Sequence, residues 1–284
     1  MRALLRKNER GKVKVAEGGA RGIPWWLWPN VLSLDAPVVA AVWLWAMGRT
    51  WGDPVPWLVL SLLAAAVWCI YTADRLLDGR RLRPEVPHSR RHAFSRKWSR
   101  ELTGVVGVLA AGGGLLALWQ IPQDRWLGLG TPLAGVVLYL ACLRRAFWFP
   151  KEVSGGVLFA LGTVAYLIGG GAVEWKVVAL FAALCSANCL CIARWERDWD
   201  AHQDPAASGV QRDWLLGTPL VAGLLVLVGL GSGGWMGGDS LEAGVALGAG
   251  GLLALRGSER WLSIPVRRVV ADGVLLGPLL TLCW

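Results

Sequence analysis

The chain has 284 residues, of which 55% are hydrophobic and only 17% charged, and its mean hydropathy is +0.46. Soluble domains run at roughly 25% charged and roughly 45–50% apolar, so an ordinary water-soluble globule is excluded. Lys and Arg outnumber Asp and Glu by 29 to 20, and the six cysteines lie in apolar stretches with no CxxC pair, which excludes a disulfide scaffold and a zinc site.

A basic tail, residues 1–24, opens the chain and carries seven Lys and Arg up to Arg21. No Ala-x-Ala site follows the first apolar run, so the N-terminus reads as a retained first helix and not as a cleaved signal. Charge-poor runs follow at 31–48, 54–73, 102–119, 126–143, 153–173, 177–193, 214–238, 243–255 and 269–284, the first and last interrupted by Asp35 and Asp272. A spanning helix needs about 20 mostly apolar residues, with about 17 as the lower limit. The first seven runs meet that limit, and the last two reach it through their flanks Ser240, Leu241, Ile264 and Pro265. The predicted fold is all-α, a polytopic membrane bundle of about nine transmembrane helices forming one domain over 25–284.

Of the 29 basic residues, 26 fall on one side of such a bundle, and only Arg49, Arg125 and Lys176 on the other. Basic loops stay in the cytoplasm, which predicts the N-terminus inside and the C-terminus outside. The chain is accordingly expected in the plasma membrane, a bacterial-type inner membrane. Its positive charge serves topology and contact with anionic lipid, and no nucleic-acid partner is needed. Nineteen Trp against three Tyr suit the bilayer interface.

Acids inside membrane helices are costly and mark functional sites. The predicted topology sets Asp35, Asp74, Asp78, Glu196, Asp200 and Asp272 toward the cytoplasmic ends of their helices, where a site would open inward. Two copies of one pattern stand out: Asp74-Arg75-Leu76-Leu77-Asp78 ends the second run, and Glu196-Arg197-Asp198-Trp199-Asp200 ends the sixth. Four-residue spacing puts each acid pair on one helical face, one turn apart. Four such carboxylates repel unless cations sit among them, and hard oxygen donors suit Mg²⁺. The alternative is that each acid pairs with a neighbouring arginine at a solvated helix end.

The run Ala73–Gly79, followed by Arg83-Pro84, resembles the first aspartate-rich motif of the UbiA superfamily of membrane prenyltransferases, and the Glu196–Asp200 run resembles the second. Where the family's first motif opens with Asn-Asp this chain has Ile70-Tyr71, and Cys189 stands where the second usually carries a further Asp. The resemblance implies transfer of a prenyl group from a prenyl diphosphate to a lipophilic or aromatic acceptor. It implies Mg²⁺ held by Asp74, Asp78, Glu196 and Asp200, the same four residues serving catalysis. Arg75, Arg80, Arg83 and Arg197 are the candidate diphosphate ligands, with Asn188, Tyr71 and Asp198 as further candidates. For Asn188 an interhelical hydrogen bond, and for Tyr71 packing, are the alternatives. Asp35 and Asp272 are expected to pair with Arg267 and Arg268, with lining of one shared cavity as the alternative, and the segment 87–98 to lie at the interface as an anchor or a lid. Replacing any of the four acids by its amide is expected to weaken prenyl-diphosphate binding. Two rival functions remain, a catalytically reduced family member that binds prenyl lipids or assembles a complex, and a secondary transporter.

Overall fold

The structure, a computed structural model, describes residues 22–81, 90–141, 151–171, 173–200, 221, 225 and 240–282. A 3-10 turn at Trp25–Leu27 leads into α1 (Trp28–Val31), α2 (Asp35–Thr50), α3 (Trp57–Arg81), α4 (Arg90–Lys97) and α5 (Ser99–Gln120). Then come α6 (Trp126–Ala141), α7 (Lys151–Ile168), α8 (Trp175–Asp200), α9 (Ser240–Gly257), α10 (Ile264–Val274) and α11 (Gly277–Leu282). Every element among the described residues is helical, as expected. Of the expected seventh run only Val221 and Leu225 are described.

Three helical stretches are long and apolar enough to cross a membrane: Trp57–Leu77, Ser99–Gln120 and Trp175–Glu196. None of the residues of α5 is buried, and Val108, Leu115 and Trp119 are 69–81% exposed. A helix so apolar and so bare is ordinary against lipid and unfavourable in water.

The first and ninth runs are not single helices, though the first pair taken together is still long and apolar enough to cross a membrane. Trp25–Val31 and Asp35–Thr50 meet at a bend of 77°, and α10 and α11 part at Leu275 and Leu276. Proline explains both, because it donates no N–H and its ring collides with the carbonyl four residues back. Pro37 thus bars Ser33 from a continuing helix, and Ser33 takes a left-handed φ of 59°. Pro278 does the same to Val274, the last residue of α10.

The core lies between α2, α7, α8 and α9, around the fully buried Trp43, Met47, Leu167, Phe181, Leu184 and Leu252. Trp43 stacks on Phe181 with centroids 4.1 Å apart, and its Nε1 donates to the Leu275 carbonyl at 2.7 Å, tying α2 to the second helix break. In lipid, helices associate through close approach of small residues. A Cβ on Gly156 of α7 would stand 2.7 Å from the Ser186 Cα of α8, so only glycine permits this crossing.

At the far end of α2, Arg125 donates to both oxygens of Asp53 (2.6 and 3.2 Å) and to the Tyr166 carbonyl (3.2 Å). The hydrogen bonds to Asp53 push the Arg125 pKa above its ordinary value, so this clamp keeps its charge at any working pH. It joins the ends of α2 and α7 to the start of α6, away from the end where the acids gather.

Candidate functional site

Polar side chains from the start of α2, the late turns of α3 and α8, and α10 meet at one end of the bundle. Their geometry begins with the α1–α2 break, which leaves carbonyls without helical partners. Arg75 meets two of them, donating from NH1 to the Asn30 and Val31 carbonyls at 3.0 and 3.3 Å. Trp68 Nε1 donates to the Leu32 carbonyl at 2.9 Å. Trp68, Thr72 and Arg75 recur at helical spacing and so share one face of α3. Both Arg75 and Thr72 are buried, and the Thr72 hydroxyl has no hydrogen-bond partner.

Beside Arg75, Asn30 Nδ2 donates to Asp35 at 2.7 Å and reaches Asp272 at 3.5 Å. Asn188 of α8 donates to the other oxygen of Asp272 at 3.2 Å. This inner cluster therefore joins α1, α2, α8 and α10. Tyr71, half-buried, meets Phe159 edge to face at 6.4 Å, and Phe159 leads on to Phe181 at 6.1 Å and so to the core.

An outer cluster lies at the same end. Glu196 accepts from Arg91 of α4 at 2.9 Å through one oxygen and from Arg268 of α10 through the other. The three side chains are only 13–15% exposed, and Nε of each arginine is buried without a partner. Helix α4 is pinned over this end by Phe94, which meets Trp28 edge to face at 6.0 Å and Trp98 at 6.4 Å, and by the buried Ser95.

The helices run on through the charged ends of both motifs, to Arg81 and to Asp200, so the acids of each pair stand one turn apart. The Asp74 side chain is exposed, while its neighbour Arg75 turns inward. The side chains of Asp78, Arg80, Arg197, Asp198 and Asp200, and all of Arg83, lie outside the described residues. Asn188 makes the interhelical hydrogen bond, and Tyr71 packs against Phe159.

One expectation is corrected. Asp35 and Asp272 do not pair with Arg267 and Arg268: Arg267 donates to the Leu262 and Glu259 carbonyls, and Arg268 goes to Glu196. Glu196 binds arginines 105 and 72 positions away, and the side chain of its sequence neighbour Arg197 lies outside the described residues. Asn30, Arg91 and Arg268 are contributors that local spacing gave no means of finding.

The donor set can be tested against Mg²⁺. Among the described residues no three His, Cys, Asp or Glu side chains gather as a metal site, and both oxygens of Glu196 are engaged by guanidinium groups. Of the four expected acids, Asp78 and Asp200 have side chains outside the described residues, and the described part holds Asp74 and Glu196 alone. What the site offers is guanidinium groups with donors to spare, which suits an anion.

Comparison with known proteins finds no matching family model, no similar curated protein and no similar solved structure.

Proposed function

We propose that this polar end binds a prenyl diphosphate and that the protein transfers the prenyl group to a lipophilic or aromatic acceptor at the cytoplasmic face of the membrane. The observation that carries the reading is the convergence of Arg91 of α4 and Arg268 of α10 on Glu196 of α8, each with a buried Nε left over. Arginine's planar fork matches phosphate oxygens, and its charge offsets the charge that builds on a departing diphosphate. In the transfer, the bond from prenyl carbon to diphosphate oxygen breaks and its electron pair leaves with the diphosphate. A bond from the acceptor to that carbon forms, and the acceptor gives up a proton. Trp28, Phe94 and Trp98 roof the site and would keep water from the cationic prenyl carbon. Were Mg²⁺ to accompany the diphosphate, Asp74, Asp78 and Asp200 would be its candidate ligands, joined by Glu196 only once it had left its arginines.

A second reading, a catalytically reduced protein that binds prenyl lipids, is favoured by Arg75, whose NH1 is committed to backbone carbonyls. One experiment separates the two. Purified protein is incubated with labelled prenyl diphosphates from short to long chains, with and without Mg²⁺, and binding and pyrophosphate release are followed. The transferase reading expects saturable binding followed by release in the presence of an acceptor. Binding without release selects the second reading, and no binding at any chain length ends both.

The orientation is part of the proposal. Reporter fusions at residues 85–95 and 202–212 are expected to report cytoplasm, and a fusion after Trp284 the outside. A cytoplasmic Trp284 would remove the nine-span arrangement.

A further inference from the structure

Helix α5 lies against α3 through one side. A Cβ on Gly113 would meet Leu62 at 3.7 Å, and Cys69 Sγ stands 3.9 Å from the Val106 carbonyl. The opposite side carries Arg100, Gly104, Gly107, Ala111, Gly114 and Leu118, alternately four and three residues apart, which sets them in one straight seam. All six are exposed, Leu118 to 65%. Acyl chains do not call for such a seam. Glycine weakens a helix interior and is warranted in lipid where another backbone comes close, as at Gly156. A Cβ on Gly104, Gly107 or Gly114 would meet nothing within 4 Å, so no described part of this chain requires glycine there.

Symmetry and charge identify what meets this seam. Two copies in one membrane share one orientation, so a two-fold axis relating them must run along the membrane normal, and α5 then meets its counterpart in parallel. Parallel packing with this spacing inserts a seam residue beside the partner's same residue and the one that follows it. Arg100 therefore comes against Glu101 of the partner subunit, and the symmetry supplies the reciprocal pair. Both side chains are exposed, and neither forms an ion pair among the described residues. An antiparallel neighbour would not bring these two positions together, so the opposite charges at the head of the seam select a second copy of this chain.

We propose that the protein forms a parallel homodimer through this face of α5, with Gly104, Gly107, Ala111 and Gly114 letting the two backbones approach and Arg100 pairing with Glu101 of the partner subunit. The dimer is independent of the diphosphate reading and stands if that reading fails. The test uses the full chain fused to a fluorescent protein, reconstituted into liposomes over a range of lipid-to-protein ratios, with photobleaching steps counted for each spot. The two-step fraction is expected to rise with density along a monomer–dimer curve. Gly107→Leu combined with Gly114→Leu is expected to weaken the dimer by about tenfold or more, because bulk in the seam separates the backbones. The added side chains meet nothing within the chain, so this variant is expected to melt no lower than the parent in detergent. Should it nevertheless not fold, the charges decide: Arg100→Glu is expected to weaken the dimer, and Arg100→Glu with Glu101→Arg to restore it. Monomers at every density would overturn the proposal. So would a dimer that the leucines or Arg100→Glu leave as tight as the parent's, or a charge exchange that fails to restore it.

Discussion

Arg75→Met is expected to destabilise the folded protein by about 1–3 kcal/mol, the usual cost of leaving a buried acceptor without its donor. The methionine fills much of the same space but leaves the Val31 carbonyl without its donor, while the Asn30 carbonyl keeps the Ser33 N–H at 3.3 Å. It also removes a positive charge that acts on Asp35 and Asp272. The bend between α1 and α2 should loosen, and with it the seat of Phe94 on Trp28 that holds α4 in place. Thermal melting in detergent without ligand reads the effect. If Arg75 served only a diphosphate, as its place in the first motif implies, the variant would melt with the parent and lose ligand binding alone. That outcome would remove its role at the helix break.

Arg75 also marks the limit of what the sequence discloses. Its presence at the end of an apolar run is evident, because charges there are few. Its partners lie 44 and 45 residues away in a bent segment, and no local spacing encodes them. The helix positions were legible, since apolar runs and helices coincide over most of α3, α5, α7 and α8. The helix ends were less so: the runs stop at residues 73 and 193 because charges begin there, whereas α3 and α8 continue to Arg81 and Asp200. Charge does not end a helix when acids and arginines alternate at compatible spacing. Both helix breaks were written in Pro37 and Pro278, but a count of apolar residues passes over a proline that a steric argument does not. The acids of the site were legible as rare charges in apolar surroundings. Asn30 was not, because a neutral amide beside Trp28 and Pro29 carries no such contrast, and its contact with Asp272 spans 242 residues.

Glu196→Gln separates the two roles that remain for the second motif. Both Glu196 oxygens accept from guanidinium groups, so an incoming diphosphate must compete with this carboxylate for Arg91 and Arg268. The amide keeps the shape and gives up the charge, so its single acceptor oxygen holds one arginine at most and the other is released. Prenyl-diphosphate affinity is therefore expected to rise about tenfold, equivalent to roughly 1.4 kcal/mol of competition removed. Arg91→Gln and Arg268→Gln, which take away a guanidinium, are expected to weaken binding by a similar factor or more. Stability should fall only modestly in Glu196→Gln, since the side chains retain some solvent and the amide can still accept from one arginine. The sequence motif alone implies the opposite sign: a Mg²⁺ ligand turned into an amide should weaken binding and blunt its Mg²⁺ dependence. Titrating labelled prenyl diphosphate into parent and variant at several Mg²⁺ concentrations distinguishes them. Weaker binding in Glu196→Gln, with the Mg²⁺ requirement lost, would return Glu196 to the metal and overturn its role as the anion's competitor.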